Sequence, residues 1–312
     1  MPYRKSGHVG LSPAARITQE IATRLEAGTK PWIKPWRGAP VSRPLRACGT
    51  PYRGMNVFWL WMVADMCGYA SPYWMTYNQA RKLEAQVRKG EKATIAIFYK
   101  SYIKEIEAPD TGETSEESRR VLKAYPVFNA DQIEGLPERF HPVVQLDVVE
   151  PEGRQAELDA FFAAIPAEVR HQGGEAYYEP LADRITMPPA HLFSGFDHFY
   201  ATLAHEMSHW TGHASRLDRD LTNRFGSAAY AAEELVAELS SAILGAELGL
   251  PVAHLDHHAS YIEHWLELLK EDDRAILTAA AKAEEASSLL LKLGGREIGD
   301  DTDEASAAAL AA

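Results

Sequence analysis

Apolar residues recur at helical spacing in several stretches of the chain. Ser12-Pro13 reads as an N-cap with proline at the first helical position, followed by Ile17, Ile21, Ala22 and Leu25 on one face, with Gly28 as a stop. Residues 57–67 predict a second, strongly apolar helix. Thr76 is an N-cap for a helix over 78–87. Residues 93–99 read as a strand continued by 101–106, and 121–129 as a strand returning beside it. Between them, 109–118 is acidic and rich in Gly, Ser and Thr, as in a loop tip or a disordered insert. The first part of the chain is therefore mixed α and β, with a long hairpin.

Prolines 137, 142 and 151 with Gly153 place a domain boundary in 136–154, dividing the chain into 1–145 and 146–312. Beyond it, 157–164 reads as a short helix, and 176–178 and 184–187 as short strands. Helices follow over 196–213 and 228–248, then one or two amphipathic helices over 259–292. The end beyond Gly294 is expected to fray. The fold class this predicts is α+β, the second domain mainly helical with a small sheet.

A length of 312 residues suits about two domains, each with its own core. No apolar run is long enough for a membrane span and none stands at the N-terminus as a signal peptide. Cys48 and Cys67 make neither a disulfide framework nor a Cys-rich zinc site, and these features together point to a cytoplasmic protein. The net charge of -12 hides a division: residues 1–105 carry 17 Lys+Arg against 6 Asp+Glu, and the remainder 15 against 38. A basic segment of that density suits a polyanion.

Candidate chemistry centres on His205-Glu206-Met207-Ser208-His209. Histidines four apart on a helix share a face and can reach one divalent ion, and Glu206 beside them can act as general base. A third ligand is needed. Gly212 fits the glycine of a three-histidine pattern, but Ser215 stands where that pattern needs its last histidine. His213 would stretch three ligands over two turns of one helix. Glu234 on the next helix is the favoured ligand, with Glu238 the alternative and otherwise a support that orients a histidine. His213 and Tyr230 are placed beside the ligands or against substrate. Zn2+ suits this donor set, with Mn2+ as another divalent choice.

The basic part interleaves aromatics with cations. Cations can follow a single-stranded backbone while aromatic faces stack on bases. The candidate DNA-binding residues are Trp32, Trp36, Arg37, Tyr52, Arg53, Asn56, Trp74, Tyr77, Arg88, Lys89 and Lys92. Against that reading, tryptophans also fill cores, and Trp59 and Trp61 in the apolar helix are expected to do so.

Taken in order, Pro35-Trp36, Tyr52-Arg53-Gly54-Met55-Asn56, Trp74-Met75-Thr76-Tyr77-Asn78-Gln79-Ala80, Val87-Arg88-Lys89-Gly90-Glu91-Lys92, Phe128-Asn129-Ala130-Asp131-Gln132, the stretch from His205 to His213 and Tyr230-Ala231-Ala232-Glu233-Glu234-Leu235 make the chain resemble ArdC-type antirestriction proteins. The resemblance covers about residues 10 to 293. It implies a domain that binds single-stranded DNA, a zincin-like metallopeptidase domain, and protection of incoming plasmid DNA from host restriction during conjugation. His205, His209 and Glu234 would be ligands and Glu206 the catalytic glutamate. Double-stranded DNA and a protein substrate, such as a host restriction component, are further expected partners. The alternatives are a metalloprotease whose basic domain selects a protein substrate, or a DNA-binding protein whose zincin domain is inactive.

Overall fold

The computed structural model describes residues 11–30, 32, 42–107, 114–142, 151–221, 227–250 and 262–296, with backbone alone at 100–107, 114–120 and 151–152. Helix α1 (Pro13–Glu26) starts as read, with Ser12 Oγ accepting from the Ala15 amide at 3.0 Å. The N-terminal half continues through β1 (Leu45–Arg46), α2 (Met55–Cys67), β2 (Tyr73–Met75), α3 (Tyr77–Lys82), β3 (Gln86–Val87), β4 (Thr94–Glu107), β5 (Thr114–Asn129) and β6 (Ile133–Glu134). Four strands form a sheet in the order β1-β2-β5-β4, with β1 parallel to β2 and the other pairs antiparallel.

Two local features differ from the sequence pattern. The helix expected over 78–87 ends at Lys82. Glu84 turns into the left-handed region (φ 59°), and Gln86–Val87 then pairs with Ile133–Glu134. The hairpin is longer than its alternation suggests, with register running from Thr94↔Val127 to Glu107↔Thr114. Residues 114–118, expected to be loop, thus extend the ribbon.

Helix α2 is apolar around its circumference because it faces two cores. Leu60 and Ala64 pack with Tyr52, Trp74, Ala96 and Val127. Met55, Val57, Phe58, Trp61 and Met62 join a larger cluster on the other side. Gly54 at its start has φ 56°, a backbone that favours glycine.

The C-terminal half runs α4 (Pro151–Ala164), β7 (Glu168–His171), β8 (Tyr177–Glu179), β9 (Arg184–Met187), α5 (Phe196–Thr211), α6 (Ala228–Leu248), α7 (Ile262–Glu271) and α8 (Ala275–Leu293). Its sheet order is β7-β9-β8, leaving β8 at an edge. Strand β7 has no signature in the sequence: only Val169 in it is even half-buried, so no alternation marks it. Ser227 caps α6 by accepting from the Tyr230 amide at 3.1 Å, and Gly249 ends that helix in the left-handed region. Small residues let α5 and α6 approach closely, and Ser208 Oγ donates to Ser240 Oγ at 2.9 Å between them.

The two halves share a core. Ile17, Ile21 and Leu25 of α1 and Phe58 and Trp61 of α2 lie in one cluster with Leu235, Leu239 and Ile243 of α6, Trp265 of α7 and Ile276 of α8. Burial of each such side chain contributes about 1.5–3 kcal/mol, so this shared cluster adds to the cores each half builds by itself. Three ion pairs cross the same seam. Lys30 Nζ meets Glu238 at 3.0 Å. Arg43 meets Glu247 at 2.7 Å and Glu284 at 2.8 Å. Part of the charge division in the sequence is therefore complementarity within the molecule. The boundary expected at 145/146 lies outside the described residues.

Candidate metal centre

Helix α5 places His205 and His209 one turn apart on the face toward α6. Their rings meet edge to face at 4.9 Å, with the two Nε2 atoms 3.2 Å apart. Glu234 enters from α6, with carboxylate oxygens 3.5 Å from His205 Nε2 and 3.6 Å from His209 Nε2. Ligands at 2.0–2.1 Å around a tetrahedral ion stand about 3.3 Å from one another. The three residues thus stand close enough to share one ion, their ligand atoms within 4.8 Å of one another. Among the described residues they form the one His/Cys/Asp/Glu group close enough to hold an ion.

The donors face a cleft of about 340 Å³, lined also by Glu206, Glu233, Tyr177, Tyr178, Pro180 and Tyr230. The edge strand β8 supplies one wall. Glu206 is buried beside the histidines. Burial pushes the Glu206 carboxyl up from its ordinary value, and the adjacent His205 and His209 partly offset this. Burial works against charge on His209, but the Glu233 hydrogen bond and the Glu234 and Glu206 carboxylates outweigh it and raise its pKa to about 9. Burial also opposes charge on Glu234, yet His205 and His209, aided by the Tyr230 hydroxyl, bring it down to about 2. Three carboxylates around two imidazoles thus leave the centre rich in negative charge, which suits a cation.

The supporting residues differ from those expected. Glu238 does not orient a histidine: it lies fully buried and accepts from Lys30 Nζ at 3.0 Å and Trp32 Nε1 at 3.2 Å. The residue that meets His209 Nδ1, at 3.2 Å, is Glu233. Arg219 in turn grips Glu233 through Nε at 3.0 Å and Nη2 at 2.8 Å. Periodicity alone favours Glu238, one turn from Glu234; the Glu233-Glu234 doublet is the available signal for Glu233, and Arg219 has none. His213 turns into the loop after α5, where its Nδ1 accepts from the Ser215 amide at 3.2 Å. Tyr230 lines the cleft.

Residues 156–282, which include α5 and α6, match the family described as zincin-like metallopeptidase. Residues 12–128 match the N-terminal domain of anti-restriction factor ArdC. The metal-free crystal structure of the antirestriction ArdC protein from the R388 plasmid is 44% identical to this chain, with a TM-score of 0.77 over 91% of this chain and 98% of that one. Its Mn(II)-bound counterpart gives 43% and 0.74 over the same shares. This chain belongs to the ArdC antirestriction family. The y4eC protein of Sinorhizobium fredii is 40% identical, across 86% of this chain and 88% of its own. Two Escherichia coli proteins named DNA primase TraC are 39% and 36% identical over 93% and 90% of this chain, which spans only 28% and 20% of their lengths.

The basic aromatic residues divide once placed. Trp32, Tyr52 and Trp74 are 1–2% exposed and offer no ring face to a base. Trp32 lies edge-on to Trp265 at 5.6 Å, and Trp74 edge-on to Tyr69 at 5.9 Å. Asn56 pairs with the β4 backbone, donating to the Ile97 carbonyl at 2.7 Å and accepting from its amide at 2.8 Å. These four are corrections: the aromatic density of the first half builds its cores. Arg53 is half-buried, and Trp36 and Arg37 lie outside the described residues. Tyr77, Arg88, Lys89 and Lys92 are exposed, together with Arg81 and Lys82 at the end of α3, which no motif singles out. Arg81 Nη1 donates to Gln86 Oε1 at 3.3 Å, and Gln86 Nε2 reaches the Tyr77 hydroxyl at 3.5 Å, so these residues adjoin. Arg88 pairs with Glu91 across the Gly90 turn at 2.8 Å.

Proposed function

We propose that this chain binds single-stranded DNA through its N-terminal half, helps protect incoming plasmid DNA from restriction, and holds Zn2+ or Mn2+ for peptide hydrolysis between His205, His209 and Glu234. The observation that carries the metal reading is the gathering of His205, His209 and Glu234, with one ligand atom of each within 4.8 Å of the others, at the wall of an open cleft. The Mn(II)-bound relative supports a divalent ion. When bound, such an ion supplies Lewis acidity toward a carbonyl oxygen. Glu206, buried in the cleft beside the two histidines, is placed to accept a proton from an attacking water. The free edge of β8 offers backbone groups along which an extended peptide can lie.

The DNA surface is carried by Tyr77, Arg81, Lys82, Arg88, Lys89 and Lys92: one exposed aromatic and five cations. Titrating the full chain with a fluorescent single-stranded oligonucleotide across a salt series tests it. Affinity should fall steeply with salt, and Lys89→Ala with Lys92→Ala should flatten the log–log slope by about 0.7 for each phosphate no longer neutralised. An unchanged slope in that variant removes this surface. In cells, Glu206→Gln tests hydrolysis separately: loss of protection with DNA binding intact ties the protective step to the metal centre, and intact protection removes peptide hydrolysis from it.

A further inference from the structure

Building on the metal reading, we infer that Arg219 is a positioning residue for the metal centre: it holds Glu233, and through Glu233 fixes the ring of the ligand His209. Arg219 follows α5 by a tight return. Leu217 N donates to the Thr211 carbonyl at 3.0 Å, Asp218 adopts φ 47°, and Arg219 N donates to the Gly212 carbonyl at 2.8 Å. The chain thereby lays a buried guanidinium along the last turn of the helix that carries both histidines.

There its donors have fixed partners. Nη1 donates to Thr211 Oγ1 at 2.9 Å and Nη2 to the Ser208 carbonyl at 2.7 Å, both on α5. Nε and Nη2 grip Glu233 of α6 as a two-point fork. Glu233 Oε1 lies 3.2 Å from His209 Nδ1, so a carboxylate held there engages Nδ1 and directs Nε2 toward Glu234 and His205. One arginine therefore ties together both helices that supply ligands.

The same arginine explains Gly212. Its φ of -75° is ordinary for any residue, so conformational freedom is no reason for glycine there. A Cβ would lie 2.9 Å from Arg219 Nη2 and 2.9 Å from Leu221 Cδ2. The glycine that hints at a three-histidine pattern makes room instead for the arginine.

The test measures binding of Mn2+ alone to the full chain by calorimetry, with circular dichroism to confirm folding. Glu233→Gln keeps size while weakening the acceptor, and Arg219→Gln removes the fork. Each should lower affinity about 10- to 100-fold, the range for residues that orient metal ligands. Arg219→Lys, a point charge without the fork, should recover only part. The double variant Arg219→Gln/Glu233→Gln should bind no more weakly than the worse single, since both changes act through the same link to His209. Reductions that add in the double variant overturn the inference, as do wild-type affinities in both singles. Failure of the wild type to bind Mn2+ would instead sink the metal reading beneath it. Should Arg219→Gln not fold, Glu233→Gln against Glu233→Asp gives the same decision through recovery of affinity by the restored carboxylate.

Discussion

Replacing Lys30 by methionine strips a buried carboxylate of its ion-pair partner while keeping most of the side chain's volume. Lys30 and Glu238 stand 3.0 Å apart with 9% and 0% of their side chains exposed. At an effective dielectric of 20 that pair attracts by about 5.5 kcal/mol, much of it offset by the cost of taking both charges out of water. Removing one partner of such a pair typically costs about 3–5 kcal/mol. The Trp32 indole still donates to Glu238 at 3.2 Å, which places Lys30→Met at the lower end, about 3 kcal/mol. In a chain of this size that lowers Tm by roughly 6 °C. Glu238→Met in the same chain should restore most of the stability, because an apolar pair of similar volume has no charge to desolvate. Urea unfolding followed by tryptophan fluorescence measures Lys30→Met, Glu238→Met and the double variant. A Lys30→Met midpoint within about 0.5 kcal/mol of wild type, or a double variant in which the two destabilisations simply add, would refute the reasoning.

Cutting the chain near residue 150 should yield fragments that melt well below the whole chain, because residues of α1, α2, α6, α7 and α8 occupy one cluster beside those internal to each half; a fragment that melts where the whole chain does would contradict this. Gly212→Ala adds a methyl that must displace Arg219 or Leu221, at about 1–3 kcal/mol, against the up to about 1 kcal/mol that alanine gains in a helical backbone. A small net loss of stability with a larger loss of Mn2+ affinity is expected, and calorimetry beside thermal melting separates the two. The Arg216 hydrogen bond leads the causes holding the Asp183 carboxyl below its ordinary value. A depressed carboxyl contributes stability above its unfolded pKa of about 3.9 and loses it as pH falls through the folded value. Asp183→Asn should therefore weaken the protein at pH 7 and leave it little changed near pH 2, as urea midpoints at the two pH values will show.

The parts of the centre legible in sequence are those set by short-range geometry. His205 and His209 stand at i and i+4, and Glu234 lies in the second turn of the helix read over 228–248. The supporting residues are less legible because they depend on which cation claims each carboxylate. Glu238 shares a helix face with Glu234, but Lys30, 208 residues away, takes it into the seam between the halves. Arg219 reaches Glu233 through a return in the chain that no periodicity announces. The tryptophans mislead for a related reason. Composition counts rings without saying which side of a sheet or helix they occupy, and Trp32 reads as an exposed loop residue until Trp265 covers it.

The cations of the first half fall into two populations that ionic strength treats differently. Arg88, Lys89 and Lys92 face bulk solvent, where mobile ions at 1 M shorten the reach of a charge to about 3 Å. Lys30 and Arg43 sit where mobile ions do not enter, against acids of the other half. Concentrated salt should thus release a polyanion from the surface while leaving the seam closed, so a salt wash can strip nucleic acid from the purified protein without opening it.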